Sequence, residues 1–188
     1  MTFLGRVAPP VVLAMAALAA LPLPGRAQHL TQDEALALAF PGAAAERHTA
    51  YLGEAELARA RALAGDDVEI EQSVVTYYVA HGAGNLLGVA YFDAHRVRTE
   101  QEVLMIVVTP DDRVRRVETV TFREPPEYMA PERWMRLFDG RELSPELSVR
   151  RDVPNITGAT LTAGAVTRAV RRALALHRVI DPFASASP

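Results

Sequence analysis

Apolar positions along this chain change period twice, from helical spacing to strand spacing and back. Thr31-Gln32-Asp33-Glu34 reads as a capping box, with Thr31 as cap and Glu34 three residues on. Ala35, Leu36, Leu38, Ala39 and Phe40 continue that helix, and Pro41-Gly42 stops it. Residues 43–53 are Ala-rich and polar with no clear period. Glu54 to Ala64 predicts a second short helix, closed by Gly65-Asp66-Asp67.

β-branched and aromatic residues then take over. Val68 to Ala80, with Ile70, Val74, Val75, Thr76, Tyr77, Tyr78 and Val79, predicts a strand. His81-Gly82-Ala83-Gly84-Asn85 has the composition of a turn, and Leu86 to Phe92 of a return strand. His95 to Glu100 is polar. The apolar run Val103 to Val108 predicts a buried strand, and Thr109-Pro110-Asp111-Asp112 a type I turn. Val114, Val117, Val120 and Phe122 mark the next strand. Links this short exclude helical crossovers, so the strands form an antiparallel β-meander of about four or more strands.

Arg123 to Tyr128 breaks the sheet with Pro125-Pro126. Pro131 to Phe138 predicts a short helix, and Leu143 to Val149 an extended segment. The last element is an amphipathic helix from about Leu161 to Arg178. Val166, Ala169, Val170, Ala173, Leu174 and His177 fall on one face. Arg168, Arg171, Arg172 and Arg178 fall on the other, and the last three suit the negative helix end. The fold class is α+β, a meander with flanking helices and a C-terminal amphipathic helix. Asp181 to Pro188 is expected to be a frayed tail.

Composition narrows the function. With no cysteine, disulfides, thiolate metal sites and Cys nucleophiles are excluded. The formal net charge is −3, and no basic patch is interleaved with aromatics, so nucleic-acid binding has little support. Arg6, the apolar run Val11 to Leu23, and Gly25-Arg26-Ala27 read as a signal peptide over residues 1–27, cut after Ala27. The domain proper then spans residues 28–180, exported to the periplasm; an uncleaved signal would instead be an N-terminal membrane anchor.

The stretch that carries chemistry is Asn155-Ile156-Thr157-Gly158-Ala159-Thr160-Leu161-Thr162, immediately before the last helix. A helix start carries backbone N–H groups without partners and partial positive charge. Small residues let an anion approach that backbone, so the position suits a phosphate, with the Thr160 hydroxyl beside it. The plain alternative is a helix cap that binds nothing.

This arrangement resembles the FMN-binding domain family, found in the FMN-carrying subunits of the sodium-pumping NADH:quinone reductase and the Rnf complex and in small secreted flavoproteins. The family's [Ser/Thr]-Gly-Ala-Thr string corresponds to Thr157-Gly158-Ala159-Thr160, followed by Leu161-Thr162 and the helix. Glu124-Pro125-Pro126 resembles the segment that follows the family's meander, and Trp134 to Arg141 the run after it. The likeness covers roughly residues 30–178. It implies FMN as cofactor, with Thr157, Gly158, Ala159, Thr160, Leu161, Thr162, Glu124 and Trp134 as cofactor-binding residues. It also implies a flavin transferase that joins the FMN phosphate to Thr160. The pattern the transferase recognises usually has Asp three residues before the Ser/Thr. Here Pro154 stands there and the nearest acid is Asp152, so reversible FMN binding at the same helix start stays open.

The remaining candidates weigh less. Trp134 could stack near the flavin ring, but a lone Trp in a short helix is more often a core anchor. Tyr77 and Tyr78 alternate faces on a strand. Glu124 either meets the ring edge or caps a turn. His29, His48, His81, His95 and His177 show no ligand spacing, so no metal site is expected. Asp111-Asp112 is turn chemistry, and Ser73, Ser144 and Ser148 lack a nucleophile motif, so no catalytic residue is assigned. The reading is an exported FMN-binding electron carrier that meets a redox partner protein, possible hosts including a membrane electron-transfer complex. A flavin-dependent oxidoreductase with its own substrate, or a flavin-free protein-binding module, are the alternatives.

Overall fold

The computed structural model describes residues 29–183. The signal-peptide reading of residues 1–27 lies outside the described residues. Helix α1 (Gln32–Ala39) is followed by strand β1 (Ala44–Tyr51), helix α2 (Glu54–Ala64) and strands β2 (Val74–Gly82), β3 (Asn85–Arg96), β4 (Gln101–Val108) and β5 (Val114–Phe122). A short helix α3 (Glu132–Met135) and the long helix α4 (Thr160–Ile180) complete the fold. The strands form one sheet in the order β1-β2-β3-β4-β5, every neighbouring pair antiparallel.

The sheet is covered on both faces. On one side α1 sets Ala35, Leu36 and Phe40 against Tyr78, Ala90, Met105 and Val107. On the other, α2 and α4 pack on Tyr77, Val89, Tyr91, Leu104 and Ile106. Interior strand β4 is therefore buried on both faces from Leu104 to Val108, which explains its unbroken apolar run. The capping box of α1 forms as the sequence predicts: Glu34 N–H donates to Thr31 Oγ1 at 3.2 Å, and Thr31 N–H to Glu34 Oε2 at 2.7 Å. No helix among the described residues is long and apolar enough to cross a membrane.

Several boundaries differ from the sequence reading. Residues 43–53 contain strand β1, which pairs with β2 from Ala44↔His81 to Tyr51↔Val74. It is an edge strand, exposed along most of its length, so no apolar alternation marks it. Strand β2 starts at Val74, not Val68. Val68 and Ile70 are buried, but the carbonyls of Glu69 and Ile70 are taken by Arg172 and Arg61 instead of a strand. Leu143 to Val149 is not extended; it folds into turns, with Leu147 N–H bonded to the Ser144 carbonyl at 3.2 Å. Of the tail expected to fray, residues 184–188 lie outside the described residues; Phe183, before them, packs edge-on against His177, ring centroids 5.2 Å apart.

The polar face assigned to the last helix also needs correction. Arg171 is buried and Arg172 half-buried, because α2 and the 143–149 turns cover the side on which the arginines lie. His177 is buried as expected, 3.0 Å from the Tyr91 hydroxyl and 3.2 Å from Asp112. Burial holds its imidazole below the ordinary pKa against the pull of Asp112.

The β2–β3 hairpin turns through Ala83 (φ 50°) and Gly84 (φ 77°), the left-handed pair that a two-residue loop requires. Further along β3, Gly88 has φ 149°, and an added Cβ would lie 2.7 Å from the Val108 carbonyl oxygen. That oxygen belongs to interior strand β4, paired on both sides, and cannot retreat. Gly88→Ala is expected to destabilise the protein by about 3 kcal/mol, lowering Tm by roughly 10 °C. A thermal melt checks this; an unshifted transition would show that β3 bends freely at this point.

Candidate functional site

The start of α4 is built by a turn and a change of direction. Ile156 to Ala159 closes on itself, Ala159 N–H donating to the Ile156 carbonyl at 3.0 Å, with Gly158 at φ 83° in the third position. That position needs a left-handed backbone, hence glycine. An added Cβ at Gly158 meets nothing within 4 Å, so the turn faces open space. Thr160 is the first helical residue, and Ala163 N–H to the Ala159 carbonyl is the first bond of the helix. The N–H groups of Thr160, Leu161 and Thr162 therefore have no backbone acceptor among the described residues. Behind them lies a 21-residue helix whose dipole puts partial positive charge at this end.

The side chains divide between surface and core. Thr157, Gly158 and Thr160 are exposed, and the Thr160 hydroxyl caps nothing. Leu161 is 56% exposed, unusual for a leucine at a helix start. Ala159 is buried and anchors the turn. Thr162 turns inward and donates from Oγ1 to the Tyr128 carbonyl at 2.6 Å, tying α4 to the segment after β5.

Trp134 supports the segment that enters this helix start, whereas Glu124 serves the β3–β4 loop. Glu124 is buried, and its Oε1 accepts from the N–H groups of Arg98 (3.2 Å), Thr99 (2.7 Å) and Glu100 (2.9 Å). Those bonds, led by the one from Glu100, hold its carboxyl below the usual carboxylate range. It caps the β3–β4 loop, and Arg98 from that loop lies 4.8 Å over the Tyr128 ring. The Trp134 indole is buried edge-on against Phe138, and its Nε1–H donates to the Pro154 carbonyl at 2.7 Å. It thus holds the strand of chain that enters the Thr157–Thr160 turn. Asp152 is tied to Arg141 at 2.8 Å.

A polar cluster on the α4 side of the sheet was not singled out from the sequence. His95 Nδ1 lies 2.9 Å from Asp93 Oδ1, and Nε2 lies 3.0 Å from Glu102 Oε2. Asp93 Oδ2 accepts from Arg172 at 2.6 Å. The available signal was period two: Asp93 and His95 share a strand face with Tyr91. Burial works against a charged imidazole, but the hydrogen bonds and charges of Asp93 and Glu102 outweigh it and raise His95 to about 9.

The sign follows from a folded pKa above the unfolded value near 6.5. The stabilisation is complete below about pH 6.5 and is lost as pH rises through about 9, with a ceiling on the order of 3 kcal/mol. Urea unfolding between pH 6.5 and 9.5 should show this decline. A His95→Gln chain should lack it; an equal decline in both would place the alkaline loss elsewhere.

Among known families, residues 100–175 match the model of the FMN-binding domain. The matched stretch runs from the β3–β4 loop through β4, β5 and α3 into α4, and includes Glu124, Trp134 and the whole of Thr157 to Thr162. No curated protein and no solved structure matches the chain.

Proposed function

We propose, for a chain whose residues 100–175 are an FMN-binding domain and whose cofactor is FMN, that the flavin is joined by a phosphoester to Thr160 and serves as an electron carrier outside the cytoplasm. The Thr160 hydroxyl is the observation that carries this reading. It is exposed, caps nothing, and stands beside three N–H groups without backbone acceptors. A phosphate on that oxygen would take those donors and the helix dipole together, and the bare backbone at Gly158 gives it room. Bound FMN supplies one- and two-electron transfer; the chain supplies attachment, orientation and surroundings.

In the attachment step the Thr160 oxygen bonds to the FMN phosphorus of a flavin dinucleotide as the phosphoanhydride bond breaks and a nucleoside monophosphate leaves. The hydroxyl proton is released and nothing is oxidised or reduced. A flavin transferase would supply the FMN ester. The N-terminal apolar run motivates the export, and the absence of any assigned base or nucleophile favours a protein redox partner, or a membrane electron-transfer complex, over a substrate of its own. Pro154 occupies the place where the transferase pattern usually has Asp, and the neighbouring Asp152 is engaged by Arg141.

Mass spectrometry of the chain co-exported with a flavin transferase tests the reading. The expected product carries one FMN ester on the peptide that contains Thr160. Yellow protein with an unmodified Thr160 would replace the ester by reversible binding, and colourless, unmodified protein would overturn both.

A further inference from the structure

Strands β2 and β3 part company before they end. Their ladder stops at Tyr77↔Tyr91, yet β2 begins at Val74 and β3 continues to Arg96. Over 74–76 β2 is paired with β1 alone, and over 92–96 β3 is paired with β4 alone. A cavity of about 630 Å³ occupies the fork. Ala165, Ala173 and Leu176 of α4 close one face of it, and Gln32 of α1 stands at the other.

The shape selects the occupant. The fork is three residues deep on the β2 side, about 10 Å, which is short for an added strand of the usual five or six residues. Closed at its inner end by the Tyr77↔Tyr91 pair, it suits a small molecule, and its volume falls within the range of small-molecule sites. The space between two strands is a slot whose wall is about equally apolar (Val75, Phe92, Leu176) and polar (Thr76, Asp93, Arg168), so a flat body with both characters fits it.

Two arginines at the wall have no ion-pair partner among the described residues, and of these Arg96 is exposed while Arg168 is half-buried, so Arg168 is the better seat for a ligand's charge. Arg172 is engaged by Asp93 and by the Glu69 carbonyl. Arg168, half-buried and on the same stripe of α4, has no carboxylate within 4 Å among the described residues. It lies back over Gly164, where an added Cβ would stand 3.2 Å from its Nη1. Glycine is a poor residue inside a helix, and here it leaves room for the guanidinium. Glu69 and Glu71 also border the cavity but are exposed at its rim.

We propose that the fork between β2 and β3 is a second binding site, for a planar small molecule bearing one carboxylate that pairs with Arg168. Most of its wall belongs to residues 69–96, outside the matched FMN-binding domain. None of Thr157 to Thr162 lines it.

Calorimetric titration of the full chain with 2-naphthoate, and with the neutral naphthalene-2-carboxamide, tests it. The carboxylate should bind about tenfold tighter than the amide, and Arg168→Gln should erase that difference while leaving the amide unchanged. Ala94→Trp, at an exposed position on the cavity wall, should abolish binding of both without altering the thermal melt. Loading the chain with FMN should leave naphthoate binding intact. No binding by the parent chain, equal affinity for both probes, or insensitivity to Ala94→Trp would overturn the site. Displacement of naphthoate by FMN would also overturn it, because the fork would then be the flavin's own seat.

Discussion

A Thr160→Ala chain made beside a flavin transferase is expected to carry no covalent FMN, whereas Thr160→Ser should carry it in full. The substitution removes the one exposed hydroxyl of α4's first turn; Thr162, two residues on, points into the protein. Stability should hardly move, by less than about 0.5 kcal/mol, since the Thr160 side chain is exposed and caps nothing. Thr162→Ala should behave in the opposite way. It leaves the attachment oxygen in place but strips the Tyr128 carbonyl of its 2.6 Å donor, at a cost of about 1 to 2 kcal/mol. Intact mass and thermal melting of the three variants separate the two effects. Covalent flavin persisting in Thr160→Ala would move the linkage to Thr157, the other exposed hydroxyl of the string.

The start of α4 was readable from the sequence because its causes are local. A left-handed glycine, two small residues and the onset of helical period lie within eight positions, and each acts on its immediate neighbours. The same holds for the capping box of α1 and for β4, whose six apolar residues in a row can be satisfied only by burial on both faces. What surrounds the site was less readable. Glu124 serves a loop some 25 residues before it, and Trp134 a carbonyl 20 residues after it. Nothing in the spacing of either residue points to its partner.

Other features were hidden because apolar pattern reports burial and not pairing. Strand β1 exists through backbone bonds to β2, with few buried side chains to mark it. The 68–70 stretch has the alternation of a strand, yet arginine side chains take its carbonyls. Pro145 and the serines beside it break Leu143 to Val149 into turns, although Leu143 and Leu147 are both buried. A helical wheel likewise places Arg171 with the solvated arginines. Its true surroundings come from elements far away in the chain: Ala64 at the end of α2, and Ser144 and Leu147 in the turns before the site.

Arg171 gives the largest stability effect expected of any single side chain discussed. Its Nε donates to the Ala64 carbonyl at 2.8 Å, and its Nη1 to the carbonyls of Ser144 (2.7 Å) and Leu147 (3.0 Å). No carboxylate neutralises it among the described residues; the oxygens of three main-chain groups do so instead, one of them at the negative end of α2. Arg171→Met keeps much of the volume but leaves three carbonyls without this donor in a region closed to water. That should cost about 4 kcal/mol, roughly 13 °C in Tm, against less than about 0.5 kcal/mol for Arg178→Met at an exposed position of the same helix. Because the freed turns lead directly to the Thr157–Thr160 string, limited proteolysis of Arg171→Met should cut first between residues 142 and 153. A variant as stable as the parent would mean that water reaches those carbonyls, and that α4 is held by its apolar face alone.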